Sequence, residues 1–298
     1  MPSELLIAIF GGLGGMLGWG LADFFAKKTI DEVGDVVSLA WGHVFGTIVL
    51  LIMVLYQFVG LGHKVTAHYD LSAWLLLAFF GVLQAAVYLL VYKGFGKGQV
   101  GVLSPVFASF SGLTAIISIV IFGEAVGPYI LLGLVALFAG ILLINIDVQA
   151  LKAKRLNFAY VPGFKEIALA TLLATFWTLS WDKFVGGRDW LLYTFFMYAF
   201  MSVAILIFAL IRRINLLVVK PHIWKFLALI GFTETVAYAA ISLGYSLTSL
   251  TSVVALLSGA FSLPTIILAH LFLKEKITTM QTVGSLITIG GIMVLAAL

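Results

Sequence analysis

Ten apolar runs, each long enough to cross a bilayer, leave this chain few ways to fold. They lie near 5–25, 36–58, 73–94, 100–122, 128–146, 165–185, 190–211, 223–245, 250–272 and 279–297, and are called segments 1 to 10 below. A hydrocarbon core about 30 Å thick takes about 20 residues of helix. Within it, backbone N–H and C=O groups must find partners inside the protein, and a helix satisfies them all by itself. The expectation is an all-α membrane protein of ten transmembrane helices. Composition excludes the water-soluble alternative: 62% of the residues are apolar and 10% charged, where a soluble domain carries roughly 25% charged residues. Segment 1 has no basic start and is rich in glycine, so it is expected to be a retained helix rather than a cleaved signal peptide. Gly11/Gly15 and Gly14/Gly18 give it small-xxx-small spacing, the pattern of close helix packing.

The charges set the expected orientation. Loops after the odd-numbered segments hold 14 of the 17 Lys and Arg residues, among them Lys27, Lys97, Arg155, Arg212 and Lys274; the other side keeps Lys64, Lys183 and Arg188. Cytoplasmic loops are the basic ones, which puts these loops, including 152–165, in the cytoplasm and both termini outside. This use of the positive charge also leaves no reason to expect a nucleic-acid partner. With no Cys there is no disulfide or thiolate site.

The chain is internally duplicated. An offset of 150 aligns Trp74, Gly81, Tyr88 and Gly94 of segment 3 with Trp224, Gly231, Tyr238 and Gly244 of segment 8. An offset of 151 pairs Phe110-Ser111 with Phe261-Ser262, Glu124 with Glu275, Gly133 with Gly284 and Gly140 with Gly291, and an offset of 158 pairs Trp19 with Trp177. Five crossings per copy is odd, so one half must sit upside down relative to the other. The expected units are 1–148 and 149–298, two inverted five-helix repeats around a central cavity.

The Trp19-Gly20 pair, the acidic residue after segments 4 and 9 (Glu124, Glu275) and the Gly133/Gly140 and Gly284/Gly291 spacing resemble the ten-helix EamA-type transporters of the drug/metabolite transporter superfamily. The resemblance covers essentially the whole chain. It implies a basket of helices in a multi-pass protein, expected in a prokaryotic plasma membrane, and transport of small organic metabolites, often export of amino acids or related compounds.

Glu234 alone among the acidic residues falls at the midpoint of an apolar run, and its repeat mate is Gln84. A charged group there costs at least about 2.5–3.5 kcal/mol, so Glu234 is expected to face a cavity near Gln84, where it could bind a substrate ammonium or exchange a proton. Interhelical hydrogen bonding is the competing role for both. Tyr88 and Tyr238 follow one turn later on the same faces and are candidate cavity walls, as are Trp19 and Trp177; packing explains an apolar-helix aromatic equally well. Polar stripes run along segment 4 (Ser104, Ser111, Thr114, Ser118), segment 9 (Ser258, Ser262, Thr265) and segment 6 (Thr171, Thr175, Thr178, Asp182), and line either a wet cavity or a helix contact. Ser111 and Ser262 complete the candidate substrate site. Pro264 removes a backbone bond inside segment 9, so a break and a hinge are expected there. Trp41, Trp74, Trp190 and Trp224 are assigned to the interface belts, and His43 and His270 are also taken as interfacial.

No phosphate-cradling loop, metalloprotease pair or hydrolase elbow occurs, and no loop can house an ATPase domain. An enzyme, a metal site and a cofactor are not expected, and primary active transport by this chain alone is excluded. The leading expectation is a secondary transporter of a small molecule, working by alternating access as a monomer or homodimer in the lipid bilayer. A flippase-like lipid-handling protein and a passive channel are the competing functions. A cavity closed at one face would support the first, a lateral opening the second and a continuous pore the third.

Overall fold

The computed structural model describes residues 2–64, 69–97, 100–146 and 161–298, and among these every regular element is helical. In chain order the first half holds α1 (Pro2–Val33), α2 (Asp35–Leu55, closed by a π turn Tyr56–Gly60), α3 (Leu71–Lys97), α4 (Val100–Val120) and α5 (Pro128–Asn145). The second holds α6 (Phe164–Val185), α7 (Trp190–Ile211), α8 (Trp224–Leu247), α9 (Thr251–Gly259), α10 (Ser262–Leu273) and α11 (Thr279–Ala296). Segments 1 to 8 are thus single helices, segment 9 is broken into α9 and α10, and segment 10 is α11. The protein is an integral, multi-pass membrane protein.

Nine described spans are long and apolar enough to cross a membrane by themselves, α9 and α10 counting as one. The tenth, α6, has 22 residues but is less apolar, because Thr171, Thr175, Thr178, Trp177, Trp181 and Asp182 all turn into the bundle. Lipid contacts the opposite kind of surface: Phe10, Leu75, Leu172, Leu210 and Leu286 are exposed, as apolar side chains can be where the solvent is hydrocarbon.

Helix ends follow local chemistry. Gly34 turns α1 into α2 at φ 82°, backbone that a side chain rarely adopts. Asp70 accepts from the Ala73 N–H at 2.8 Å and the Ser72 hydroxyl at 2.9 Å, capping α3. These bonds to its ionised form hold the carboxyl below its usual range. Thr278 and Gln281 form a reciprocal capping box at the start of α11.

The packing obeys an exchange rule. Helix α1 packs on α8 as α3 packs on α6; α2 meets α8 as α3 meets α7; α1 meets α9 and α10 as α4 meets α6. The remaining main pairs, α5 with α11, α4 with α9 and α2 with α7, join each helix to its own repeat mate. Swapping the halves leaves this set unchanged, so a pseudo-two-fold axis relates them. With an odd number of crossings per half it lies in the membrane plane. Glycines allow the closest approaches. A Cβ on Gly11 would lie 2.9 Å from the Ala240 carbonyl oxygen, and one on Gly18 2.8 Å from the Ala237 side chain, both on α8. The small-xxx-small face of α1 is a packing face.

Candidate functional site

A cavity of about 1070 Å3 enters the bundle among α1, α3, α4, α5, α6, α10 and the start of α11. Its mouth lies at Lys27, Ile30, Phe95 and the Thr278–Gln281 cap, and its inner end reaches Trp19, Gln84 and Trp177. The mouth is therefore on the face where the odd-numbered loops emerge. A smaller cavity of about 580 Å3 indents the opposite face, bordered by Glu4, Ser118, Glu124, Tyr129, Lys183 and Leu298. The first turn of α1, at Glu4 and Leu5, and Leu298 lie on that face. Tyr129 and Ile130 there are the repeat mates, at an offset of 151, of Met280 and Gln281 at the larger mouth. The two cavities are thus pseudo-symmetric counterparts of unequal depth. Between them lie α9, with all nine residues buried, and an aromatic block in which Trp177 stacks on Trp181 at 5.6 Å and meets Tyr238 edge-on at 6.0 Å.

Glu234 lies one layer behind the cavity wall rather than in it. The carboxylate of α8 points to α2, α3 and α7, where Tyr88 donates to Oε1, Tyr198 donates to Oε2 at 3.0 Å and the His43 Nε2 approaches Oε1 to 3.6 Å. Tyr88 stands between it and the cavity, and lines that cavity itself. His43 corrects the interfacial assignment: α2 starts at Asp35, so His43 is two turns inside, fully buried, stacked on Tyr198 at 5.1 Å. Its Nδ1 lies 2.8 Å from the Leu39 carbonyl oxygen. A carbonyl only accepts, so Nδ1 carries a proton and Nε2 is the position left to gain or lose one. His270 is exposed and bonds the Glu275 carbonyl at the helix end, in keeping with an interfacial place.

The hydrogen-bond directions run on from Glu234. Tyr88 donates to the carboxylate, Tyr238 donates to Tyr88 at 3.4 Å, and Gln84 therefore meets Tyr238 with its NH2 group, at 2.9 Å. The Gln84 Oε1 is left buried with no partner, as is the Trp19 Nε1.

The other candidates separate by position. Gln84, Tyr88, Trp19, Trp177 and Ser262 line the larger cavity; Glu234, Tyr238 and Ser111 do not. Ser111 faces Gly259 where α4 crosses α9, and Tyr238 packs edge-on against Trp19 at 5.5 Å. Most of the polar stripes are helix contacts. Thr171 and Thr175 donate to the Val106 and Phe110 carbonyls of α4, and Thr265 to the Gly20 carbonyl of α1. Only Ser104, Thr178, Ser262 and Thr265 also border the cavity. Pro264 is the third residue of α10, just after the Ala260–Phe261 break, with its ring against Gly20.

Two cavity residues were missed by reasoning from the sequence. Asn145 closes α5 and accepts from Ser104 at 2.6 Å and Ser262 at 3.2 Å; its signal was one amide at the end of an otherwise apolar run. Asp23 counted as a segment-end charge, but α1 continues to Val33 and the carboxylate faces the cavity.

Electrostatics differ at the two faces. Around the larger mouth, ion pairs join Lys27 to Glu275 at 2.5 Å, Lys97 to Glu166 at 2.5 Å and Lys220 to Glu32 at 2.7 Å. On the other face, Glu124 accepts from the Ser252 N–H at 3.0 Å and from its hydroxyl. This carboxylate holds the N-terminus of α9, where helix N–H groups are unpaired and the dipole favours negative charge. Burial pushes the Glu124 carboxyl above its ordinary range, although the Ser252 bonds pull the other way.

The sequence model of the EamA-like transporter family matches residues 6–146 and again residues 163–297. A solved structure, described only as a crystal structure of a protein, matches with a TM-score of 0.76 at 16% identity, over 99% of this chain and 98% of its own. At that identity the likeness is one of fold. No curated protein matches the sequence.

Proposed function

The chain belongs to the EamA-like transporter family, and from that premise we propose that it carries small organic metabolites, amino acids or related compounds among them, across a prokaryotic plasma membrane as a secondary exporter. One observation supports this above the others: a cavity of about 1070 Å3 reaches the bundle centre from one face, while its pseudo-symmetric counterpart of about 580 Å3 stops short on the other. Inverted halves exchange such unequal shapes, which opens the same site first to one side and then to the other. The basic loops around the larger mouth favour a cytoplasmic position for it; on this reading the protein is inward-open, with both termini outside. The cytoplasmic 152–165 loop falls mostly outside the described residues. A continuous pore is not favoured, because α9 and the Trp177–Trp181 stack fill the space between the cavities.

Glu234 and His43 supply the candidate coupling proton. One proton shared between them gives either an imidazolium beside a carboxylate or a neutral imidazole beside a carboxylic acid. Tyr88 links either form to the cavity wall.

The natural absence of cysteine makes the test direct. Single cysteines at Ser262, in the larger cavity, and at Ser118, in the smaller, are labelled in oriented vesicles with a membrane-impermeant maleimide from each side. Alternating access expects Ser262→Cys to react from the cytoplasm and Ser118→Cys from outside, with transported substrate shifting the two in opposite senses. Simultaneous access to one position from both sides would make the protein a channel.

A further inference from the structure

We propose that Asp23 and the Gln84 carbonyl oxygen form a head-group site for a protonated amine, which narrows the transported metabolite from amino acids and related compounds to those related compounds that carry a single ammonium, and no carboxylate, on an apolar or aromatic body. This rests on the transport role above and names the substrate class of the same cavity. Asp23 lines the cavity and makes no hydrogen bond or ion pair with the described residues. The nearby cation on the same helix, Lys27, one turn further toward the mouth, is taken up by Glu275 at 2.5 Å. Asp23 is exposed to the cavity rather than buried, so its carboxylate is open to an incoming cation, which it attracts more strongly in a site surrounded by hydrocarbon than in bulk water.

The second acceptor follows from the hydrogen-bond order. Tyr88 is committed to Glu234 and Tyr238 to Tyr88, so Gln84 spends its NH2 on Tyr238 and keeps Oε1 unpaired, buried and on a side chain that lines the cavity. A buried acceptor without a donor is destabilising until a donor reaches it. An ammonium brings three donors and no acceptor, which suits two waiting acceptors. The walls fit the same charge: Trp19, Tyr88, Tyr92, Phe110, Trp177 and Phe261 border the cavity, and aromatic faces attract cations. For a carboxylate the cavity offers little, since its lysine is paired and the Trp19 indole N–H is the unpaired buried donor.

The test uses three probes of one shape: 2-phenylethylamine, its N-acetyl derivative, which has no charge, and 3-phenylpropionate, which is an anion. Binding is read by thermal shift of the full chain in lipid nanodiscs, since a ligand that binds only the folded state raises apparent stability. The parent protein is expected to bind the amine at least tenfold more tightly than either analogue. Asp23→Asn should erase that preference while leaving the weak binding of the N-acetyl compound unchanged, which also reports that the variant is folded. Gln84→Leu should weaken the amine less than Asp23→Asn does. Equal amine affinity in parent and Asp23→Asn, tighter binding of the propionate, or no binding of the amine to the parent overturns the site. Flux of labelled amine into proteoliposomes is measured separately: binding without flux would leave the head-group site standing and remove the transport role.

Discussion

The Nε2 of His43 lies 3.6 Å from the Glu234 carboxylate, with both side chains buried where α2 crosses α8. Removing one partner of a buried pair costs about 3–5 kcal/mol, so Glu234→Ala should lower thermal stability sharply. Glu234→Gln keeps one oxygen to accept from one of the two tyrosines and meets the other with its NH2 group, from which that hydroxyl can accept, but loses the exchangeable proton. It should melt close to the parent, while proteoliposome flux no longer responds to an imposed pH gradient. Normal gradient-driven flux in Glu234→Gln would end the coupling role for this pair.

Gly140 and Gly284 meet backbone to backbone between α5 and α11. A Cβ on Gly140 would lie 2.8 Å from the Gly284 carbonyl oxygen, and one on Gly284 2.9 Å from that of Gly140. Neither oxygen can move without moving its helix. Overpacking of this kind costs about 1–3 kcal/mol, and Gly284→Ala should show it as a lower melting temperature in detergent. Gly290, on the same helix, has open space at its Cβ position. Gly290→Ala should therefore be neutral or slightly stabilising, and an equal loss in both variants would refute the contact explanation.

Glu124 should make the sealed face sensitive to pH. Burial raises its carboxyl pKa while it holds Ser252, whereas opening would return it to water and its ordinary value. The closed arrangement therefore binds the proton more tightly and gains stability on acidification. As pH rises from the ordinary glutamate range through the raised value, ionisation in the closed state becomes the costlier and opening is favoured. Asp182 and Lys183 of α6 act on Glu124 in opposite senses, and Glu4 of α1 shares its cavity. Labelling of Ser118→Cys is expected to rise with pH in the parent and to lose that dependence when Glu124→Gln is added. A slope unchanged by Glu124→Gln would remove Glu124 from the pH response.

Pro264 lies in the first turn of α10 and offers no N–H across the α9–α10 break, where the Ala260 carbonyl accepts from the Leu263 N–H at 2.9 Å. Pro264→Ala adds a donor that competes for this carbonyl, a change of about 1 kcal/mol or about fivefold in a two-state ratio, provided the two access states use it unequally. Transport rate should change severalfold with expression and amine binding retained. Equal rates would make the proline a matter of packing against Gly20.

Apolar run lengths determined the spans, because no other arrangement hides that much backbone from hydrocarbon. Matched Trp, Tyr, Gly and Glu residues half a chain apart determined the repeat, and an odd number of crossings determined its inversion. The glycines of α5 and α11 were legible as matched positions of the repeat, but that the two sets meet backbone to backbone was decided by the fold. Which polar residues meet the cavity was decided only by tertiary structure. A soluble helix shows its core side by its apolar stripe, but lipid is as apolar as the protein interior, so these helices carry no such mark. Glu234 was found by its depth, yet only the crossing of α2, α3, α7 and α8 put Tyr88 in front of it and His43 beside it. Asp23 was hidden by an apolar run that ends well before its helix does, and Asn145 by being a single amide. Their place in the site depends on how long α1 continues and how α4, α5 and α10 close around it, which is a property of the assembled bundle.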